Sequence, residues 1–236
     1  MKVPGFKALI LSEDDDYILI NKPPFISTLE DRHERTNILA MARNYTGDAQ
    51  VCHRLDKDTS GVLAIAKNPE AYRHLAMQFE HREVTKVYHA IADGVHNFDN
   101  QVVDAPILKQ NDGTARISSK GKDAETSFLT LQVFSKHTLV ECRPVTGRMH
   151  QIRVHLASLG APIAGDGEYG GKPFFVSSIK RGFRTKKMTE EEPLMKRMAL
   201  HAFSLKFARL NGEMVSVDAP YPKDFAAVLR QLEKTI

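Results

Sequence analysis

Cys52-His53-Arg54-Leu55-Asp56-Lys57-Asp58-Thr59-Ser60-Gly61 runs without a break into Val62-Leu63-Ala64-Ile65-Ala66, and this junction decides how the chain is read. The second half is apolar at every position, so no alternation gives it an outward face. A run of this kind is a strand buried on both sides, at the centre of a sheet. The first half gathers six ionisable side chains into one short loop that feeds that strand. Loops fixed by a rigid strand are where catalytic groups are usually mounted. Asp58, Thr59, Ser60 and Gly61 also read as a capped turn that closes on a glycine in the left-handed region. That reading leaves Arg54 and Asp56 unexplained: two residues apart, they point the same way along an extended chain.

Outward from this junction the chain breaks into short elements. Tyr17-Ile18-Leu19-Ile20 reads as a strand ended by Lys22-Pro23-Pro24, after the acidic turn Ser12-Glu13-Asp14-Asp15-Asp16. A short helical patch covers Ile38 to Tyr45. Asn68-Pro69-Glu70 is a helix start, with a capping residue, a proline in the first turn and an acid. Tyr72, Leu75, Ala76 and Phe79 follow at helical spacing and predict one apolar face. Lys86 to Ala92 reads as a strand closed by Asp93-Gly94. Residues 128–134 and 138–142 form a predicted hairpin, and a second joins 200–207 to 214–217 through Asn211-Gly212. The C-terminal helix lines up Phe225, Val228, Leu229 and Leu232. Hairpins with interspersed helices and no regular βαβ alternation predict an α+β fold with a mixed, mostly antiparallel sheet and flanking helices.

At 236 residues, 42% hydrophobic and 26% charged, the chain is expected to form a single domain over residues 1–236. No apolar run approaches the length that spans a bilayer, and the N-terminus lacks a signal-peptide pattern, so a cytoplasmic address is expected. Cys52 and Cys142 form no Cys-x-x-Cys pair. No Gly-rich phosphate loop offers NAD or ATP a seat, so no cofactor is expected. The net charge of +4 leans toward a polyanionic partner. Lys180, Arg181, Arg184, Lys186 and Lys187 cluster with no acid among them, within a basic-then-acidic insertion over residues 171–197. Two readings of that patch stand: contact with RNA phosphate, or a solvated loop balanced by Glu190, Glu191 and Glu192.

Two further blocks carry chemistry. One is Thr85-Lys86-Val87-Tyr88-His89-Ala90. The other runs Thr146-Gly147-Arg148-Met149-His150-Gln151-Ile152-Arg153-Val154-His155-Leu156, toward Gly165-Asp166. As a helix from about Arg148, the second has Ile152, Leu156 and Leu159 on its apolar stripe and Gly160 as its stop. Arg153 falls at the edge of that stripe, positioned to lean over a cleft. His150 and His155 are five residues apart, which sets them about 140° apart around a helix and argues against a shared metal. Ser60 precedes its strand, whereas a serine-hydrolase elbow follows one.

At these three blocks the chain resembles the RluA family of pseudouridine synthases. His53-Arg54-Leu55-Asp56-x-x-Thr59-Ser60-Gly61, followed by Ala66-Lys67, is similar to that family's catalytic motif. Lys86-x-Tyr88-x-Ala90 is similar to its tyrosine motif, and residues 146–155 to its arginine motif. Ile20-Asn21-Lys22-Pro23 and Gly165-Asp166-x-x-Tyr169-Gly170 also fit, in the family's order, over roughly residues 6 to 207. Position 149 departs from the pattern, with Met where the family usually has Thr or Ser. The resemblance implies a stand-alone catalytic domain with a central cleft, acting as a monomer on structured rRNA or tRNA without metal or cofactor. No small RNA-binding domain is expected before Phe6, so this domain would recognise RNA unaided or with a partner.

The resemblance also implies roles. Asp56 is the carboxylate that attacks or stabilises the sugar–base unit, Arg153 its counter-charge, and Tyr88 the ring that stacks on uracil and serves in proton abstraction. Ile152 covers the other side of the base. His53, Arg148 and His150 join the substrate-binding set, and Arg54 fills the space that a flipped uridine vacates. A carboxylate in a cleft needs such a counter-charge, because burial disfavours the charged form. The competing reading is an RNA-binding protein that kept this fold and lost catalysis; an intact Asp56, Tyr88 and Arg153 favour the enzyme.

Overall fold

The computed structural model describes residues 4–30, 36–179 and 191–235. In chain order its strands are β1 (Ile10–Glu13), β2 (Tyr17–Lys22), β3 (Gln50–Val51), β4 (Ser60–Ala66), β5 (Thr85–Asp93), β6 (Gln101–Asp104), β7 (Ile107–Lys109), β8 (Ala115–Ile117), β9 (Glu125–Val133), β10 (His137–Pro144), β11 (Leu200–Ala208) and β12 (Met214–Asp218). The helices are α1 (Ile38–Thr46), α2 (Pro69–Glu80), α3 (Gln151–Ser158), α4 (Val176–Ile179) and α5 (Lys223–Leu232). The described chain forms two compact units. The first holds residues 1–87 and 201–220, the second 88–200 and 221–236. Neither unit is a continuous piece of chain.

In the first unit β4 is buried at every position. β2 pairs along its whole length in the antiparallel sense. Its other edge is shared, by β3 at Ile65 and Ala66 and by β11, in parallel, at Ser60 and Gly61. Val62, Ala64 and Ala66 pack with Tyr17, Leu19, Leu75, Leu205 and Phe207 in one cluster. Leu63 and Ile65, on the alternate face, are equally inaccessible to solvent. The uninterrupted apolar run is thus the expected doubly covered strand. Gly61 is required where β4 meets β11. Its φ is +117°, and a Cβ there would lie 2.1 Å from the carbonyl oxygen of Ala202.

Helix α2 begins as predicted, with the Asn68 side chain accepting from the Ala71 N–H at 2.8 Å. Its buried stripe is shifted from the expected one: Ala71, Leu75 and Gln78 face inward, while Tyr72 is exposed. Gln78 is buried because its amide completes the edge of β11. It donates to the Ala208 carbonyl at 2.9 Å and accepts from the Ala208 N–H at 2.8 Å. A polar residue satisfied on both ends takes the place that periodicity alone assigns to an apolar one.

In the second unit β5, β10, β9 and β6 form an antiparallel series, and β7 pairs with β8 in a separate ladder. Strands β6 to β8 carry no alternating pattern, being only three or four residues long and largely exposed, so nothing in the sequence announced them. Helix α5 buries Phe225, Val228, Leu229 and Leu232, the four residues expected.

Helix α3 corrects the sequence reading twice. It starts at Gln151 rather than Arg148, because His150 sits in the left-handed region at φ 54°. It also has no single stripe, since all residues from Gln151 to Leu156 are buried. Ile152 and Leu156 join the main core, while Val154 packs with Ile107, Ala115 and Ala124. A helix covered on opposite sides loses its amphipathic pattern. Arg153, expected at the edge of a stripe, is therefore only 8% exposed. No helix among the described residues is long and apolar enough to cross a membrane.

Candidate active site

In the first unit the loop before β4 is held through its main chain on both sides of Asp56. The Thr28 hydroxyl donates to the Leu55 carbonyl at 2.8 Å and accepts from the Leu55 N–H at 3.2 Å. On the other side, the Lys57 carbonyl accepts from the Lys22 ammonium at 3.0 Å and from the Phe25 N–H at 2.9 Å. Lys22 has no solvent exposure, and it also donates to the carbonyls of Pro23 and Ile26 at 3.0 and 2.9 Å. The Thr59 N–H closes a turn on the Asp56 carbonyl at 3.1 Å. Asp56 itself is half-buried, and Arg54 is exposed two residues earlier.

His53 fixes the start of the same loop. Its Nε2 accepts from the Ala64 N–H at 3.1 Å, so its proton resides on Nδ1, and its ring lies against Phe79. Burial, then the charge of Lys86, push the imidazole down to about 3, which keeps it neutral. Burial, reinforced by Arg82, also lowers Lys86 to about 8. The end of β4 is tied by Lys67, whose ammonium reaches Glu13 at 3.0 Å and the Asp14 carbonyl at 2.8 Å. Ser60 bonds to His201 at 2.9 Å, but both are wholly buried and His201 continues to the Ala219 carbonyl. That serine–histidine pair is a brace between strands.

In the second unit the arginine motif is built around side chains. Gln151 organises the turn before α3. Its Oε1 accepts from the Thr146 hydroxyl at 2.7 Å and the Arg148 N–H at 2.9 Å. Its Nε2 donates to the Glu125 carbonyl and to Thr126. Arg148 donates from Nε to the Asp123 carbonyl at 2.8 Å. His155 is inaccessible, bonded to Thr126 and the Ala105 carbonyl, and burial lowers its basicity.

Arg153 lies at the centre of an ionic cluster. Its Nε and Nη2 meet the two oxygens of Asp166 at 2.6 and 2.7 Å, and Nη2 also meets Glu168 at 2.6 Å. The Tyr169 ring lies 4.7 Å from the guanidinium carbon. The Tyr169 hydroxyl accepts from the Ala115 N–H at 2.9 Å and bonds to His150 Nδ1 at 2.7 Å. The tight path of residues 165–171 needs its glycines: a Cβ on Gly165 would lie 2.4 Å from the Arg197 carbonyl oxygen.

The expected residues thus fall in two sets. His53, Arg54 and Asp56 share the clamped loop of the first unit. Tyr88, Arg148, His150, Ile152 and Arg153 belong to the second, where Tyr88 packs, half-buried, against the core cluster that contains Ile152. Lys180, Arg181, Arg184, Lys186 and Lys187 lie outside the described residues. Sequence reasoning assigned no task to Lys22, Thr28, Gln151, Asp166, Glu168 or Tyr169. Lys22, Gln151, Asp166 and Tyr169 lay inside quoted motifs; Thr28 had no signal.

The fold and the order of these motifs are those of the pseudouridine synthases. The family model described as RNA pseudouridylate synthase matches residues 16–158. The ribosomal large subunit pseudouridine synthase C of Vibrio parahaemolyticus is 34% identical over 238 residues, covering 99% of this chain and 72% of that protein. The protein of that name from Escherichia coli is 34% identical over 239 residues, covering 98% and 72%. Among solved structures, human RNA pseudouridylate synthase domain containing 4 aligns with a TM-score of 0.72 and 28% identity, over 97% of this chain and 95% of that one. The chain belongs to the RluA family of RNA pseudouridine synthases, enzymes that isomerise uridine to pseudouridine in RNA.

Proposed function

We propose that this enzyme modifies uridines of large-subunit rRNA and that Asp56 is its catalytic carboxylate. The observation that carries the second part is the loop itself: Leu55 and Lys57 are both fixed through their backbones, which sets the carboxylate between them. The rRNA assignment rests on the names of the relatives that are about one third identical over nearly the whole chain.

In the reaction the ribose C1′–N1 bond breaks, the uracil turns, and C1′ bonds to C5. The C5 proton leaves and N1 gains one, so the conversion is an isomerisation with no redox change. The target base is stacked in RNA and is flipped out first, at about a few kcal/mol. Arg54, exposed beside Asp56, fills the vacated space. Tyr88 stacks on the detached uracil and takes part in removing the C5 proton, while Ile152 supports the other face. Arg153 supplies the counter-charge that a desolvated carboxylate requires. His53, with Nε2 held by β4, acts by fixing the loop, whereas Arg148 and His150 approach the RNA from the turn before α3. The basic cluster at 180–187 contacts RNA phosphate.

The test is to map pseudouridines in rRNA and tRNA from a deletion strain beside its parent. Loss of one or more large-subunit rRNA sites, restored by the purified enzyme on a transcript, is expected. Loss confined to tRNA would overturn the rRNA assignment.

A further inference from the structure

We propose that Glu168, with Asp166, is a positioning residue that acts on the reaction through Arg153. The inference rests on the reading that Arg153 serves the chemistry, and its test separates the two.

Asp166 alone already engages one edge of Arg153. It is 3% exposed, and it grips the guanidinium in the bidentate geometry that gives the most directional of ion pairs. Glu168 is a second carboxylate on the same Nη2, and its side chain is 37% exposed, so water is a ready alternative partner. A second carboxylate there adds repulsion with Asp166, a penalty that a purely structural pair does not need. What it adds is direction. Asp166 holds the Nε–Nη2 edge in one plane, Glu168 pulls Nη2 from a second point, and the Tyr169 ring limits tilt from the face. Three contacts that do not share a line leave the guanidinium no axis about which to swing.

His150 completes the arrangement. Its Nδ1 is 2.7 Å from the Tyr169 hydroxyl and 3.5 Å from the Glu168 carboxylate, so the same carboxylate faces both the arginine and the imidazole. Arg153, His150, Asp166 and Tyr169 are thus the titratable or charged groups gathered around Glu168. The loop that presents Asp166, Glu168 and Tyr169, Gly165 to Gly171, is itself closed by backbone bonds from Tyr169 and Gly171 to the Asp166 carbonyl. A rigid loop that carries two carboxylates to one guanidinium fits a device for aiming that group better than a solvated surface pair.

The experiment measures tritium release from large-subunit rRNA labelled at uracil C5, under single-turnover and steady-state conditions. It uses wild type, Glu168→Gln, Glu168→Asp, Arg153→Lys and the double variant Glu168→Gln/Arg153→Lys. Thermal unfolding is followed in parallel. Glu168→Gln is expected to lower kcat about 5- to 20-fold with KM changed less than twofold and an unaltered melting temperature, as for an interaction made toward the transition state. Glu168→Asp should recover part of the loss. In the Arg153→Lys background Glu168→Gln should add nothing, because the group it aims is gone. Wild-type kcat in Glu168→Gln would overturn the proposal, and so would a full additional loss in the double variant. Wild-type turnover by Arg153→Lys would instead remove the reading of Arg153, and this proposal with it.

Discussion

The loop that presents Asp56 and the cluster that holds Arg153 solve one problem in opposite ways. Each presents a charged group at a fixed place. On either side of Asp56 the backbone of its neighbours is clamped: by a hydroxyl on Leu55, and by an ammonium and an amide on Lys57. Around Arg153 the contacts go to the charged group itself, from two carboxylates and a ring. The difference follows from side-chain length. A carboxylate one carbon from its Cα is aimed once its backbone is fixed, whereas a guanidinium at the end of a long flexible chain must be held at its tip. Backbone clamping leaves the chemistry and the stability to different atoms; at the buried Asp166, tip clamping merges them.

Substitutions can break that contrast. The largest effect is expected at Asp56 itself. Asp56→Asn should abolish pseudouridine formation, by about a thousand-fold or more, while RNA affinity stays within a few-fold. Turnover near wild type, measured by tritium release, would remove Asp56 from the reaction. Gly61→Ala attacks the frame beneath the loop, since the added carbon meets the Ala202 carbonyl at a φ that disfavours side chains. A loss of more than about 4 kcal/mol, seen as failure to give soluble folded protein, is expected.

Asp166→Asn tests the other region. It takes from Arg153 the buried carboxylate that grips it on two atoms, and urea denaturation should show a loss of about 3 kcal/mol together with lost activity. A drop in activity without a drop in stability would mean that the tip clamp is no structural element.

His53 sharpens the contrast through pH. The folded state holds the imidazole neutral down to about 3, while the unfolded chain protonates near 6.5. The stability tied to His53 is therefore complete above pH 6.5 and fades as pH falls toward 3. At pH 5 the loss is about 2 kcal/mol. His53→Gln, which keeps an acceptor for the Ala64 N–H, should be less acid-sensitive by that amount in pH-dependent denaturation. The smallest effect is expected for Thr28→Val, about 1–2 kcal/mol from two backbone groups of Leu55 left without a partner. Its kcat should fall more than its KM rises if the clamp aims Asp56.

Much of this was legible in the chain and some was not. Local signals held: the cap at Asn68, the turn at Asn211-Gly212 and the apolar face of the last helix all stand where the sequence put them. Expectations failed where the hydrogen bonds of a buried amide side chain decided the outcome. Tyr72 lost its inward place to Gln78 because the edge of β11 needed an amide there. The start of α3 moved to Gln151 because that side chain, bonded to Thr146 and Arg148, holds the preceding turn out of the helix.

By itself, the sequence determined the family, the motif order and the buried strand that carries the loop of Asp56. These depend on residue type and near spacing, which one chain displays in full. Only the tertiary structure decided what holds each charge. Lys22 lies 35 positions from the carbonyl it grips, and Asp166 lies 13 from Arg153. A long side chain can point many ways until packing removes water and leaves its charge a single set of partners. That selection is made by burial, and burial is a property of the folded chain alone.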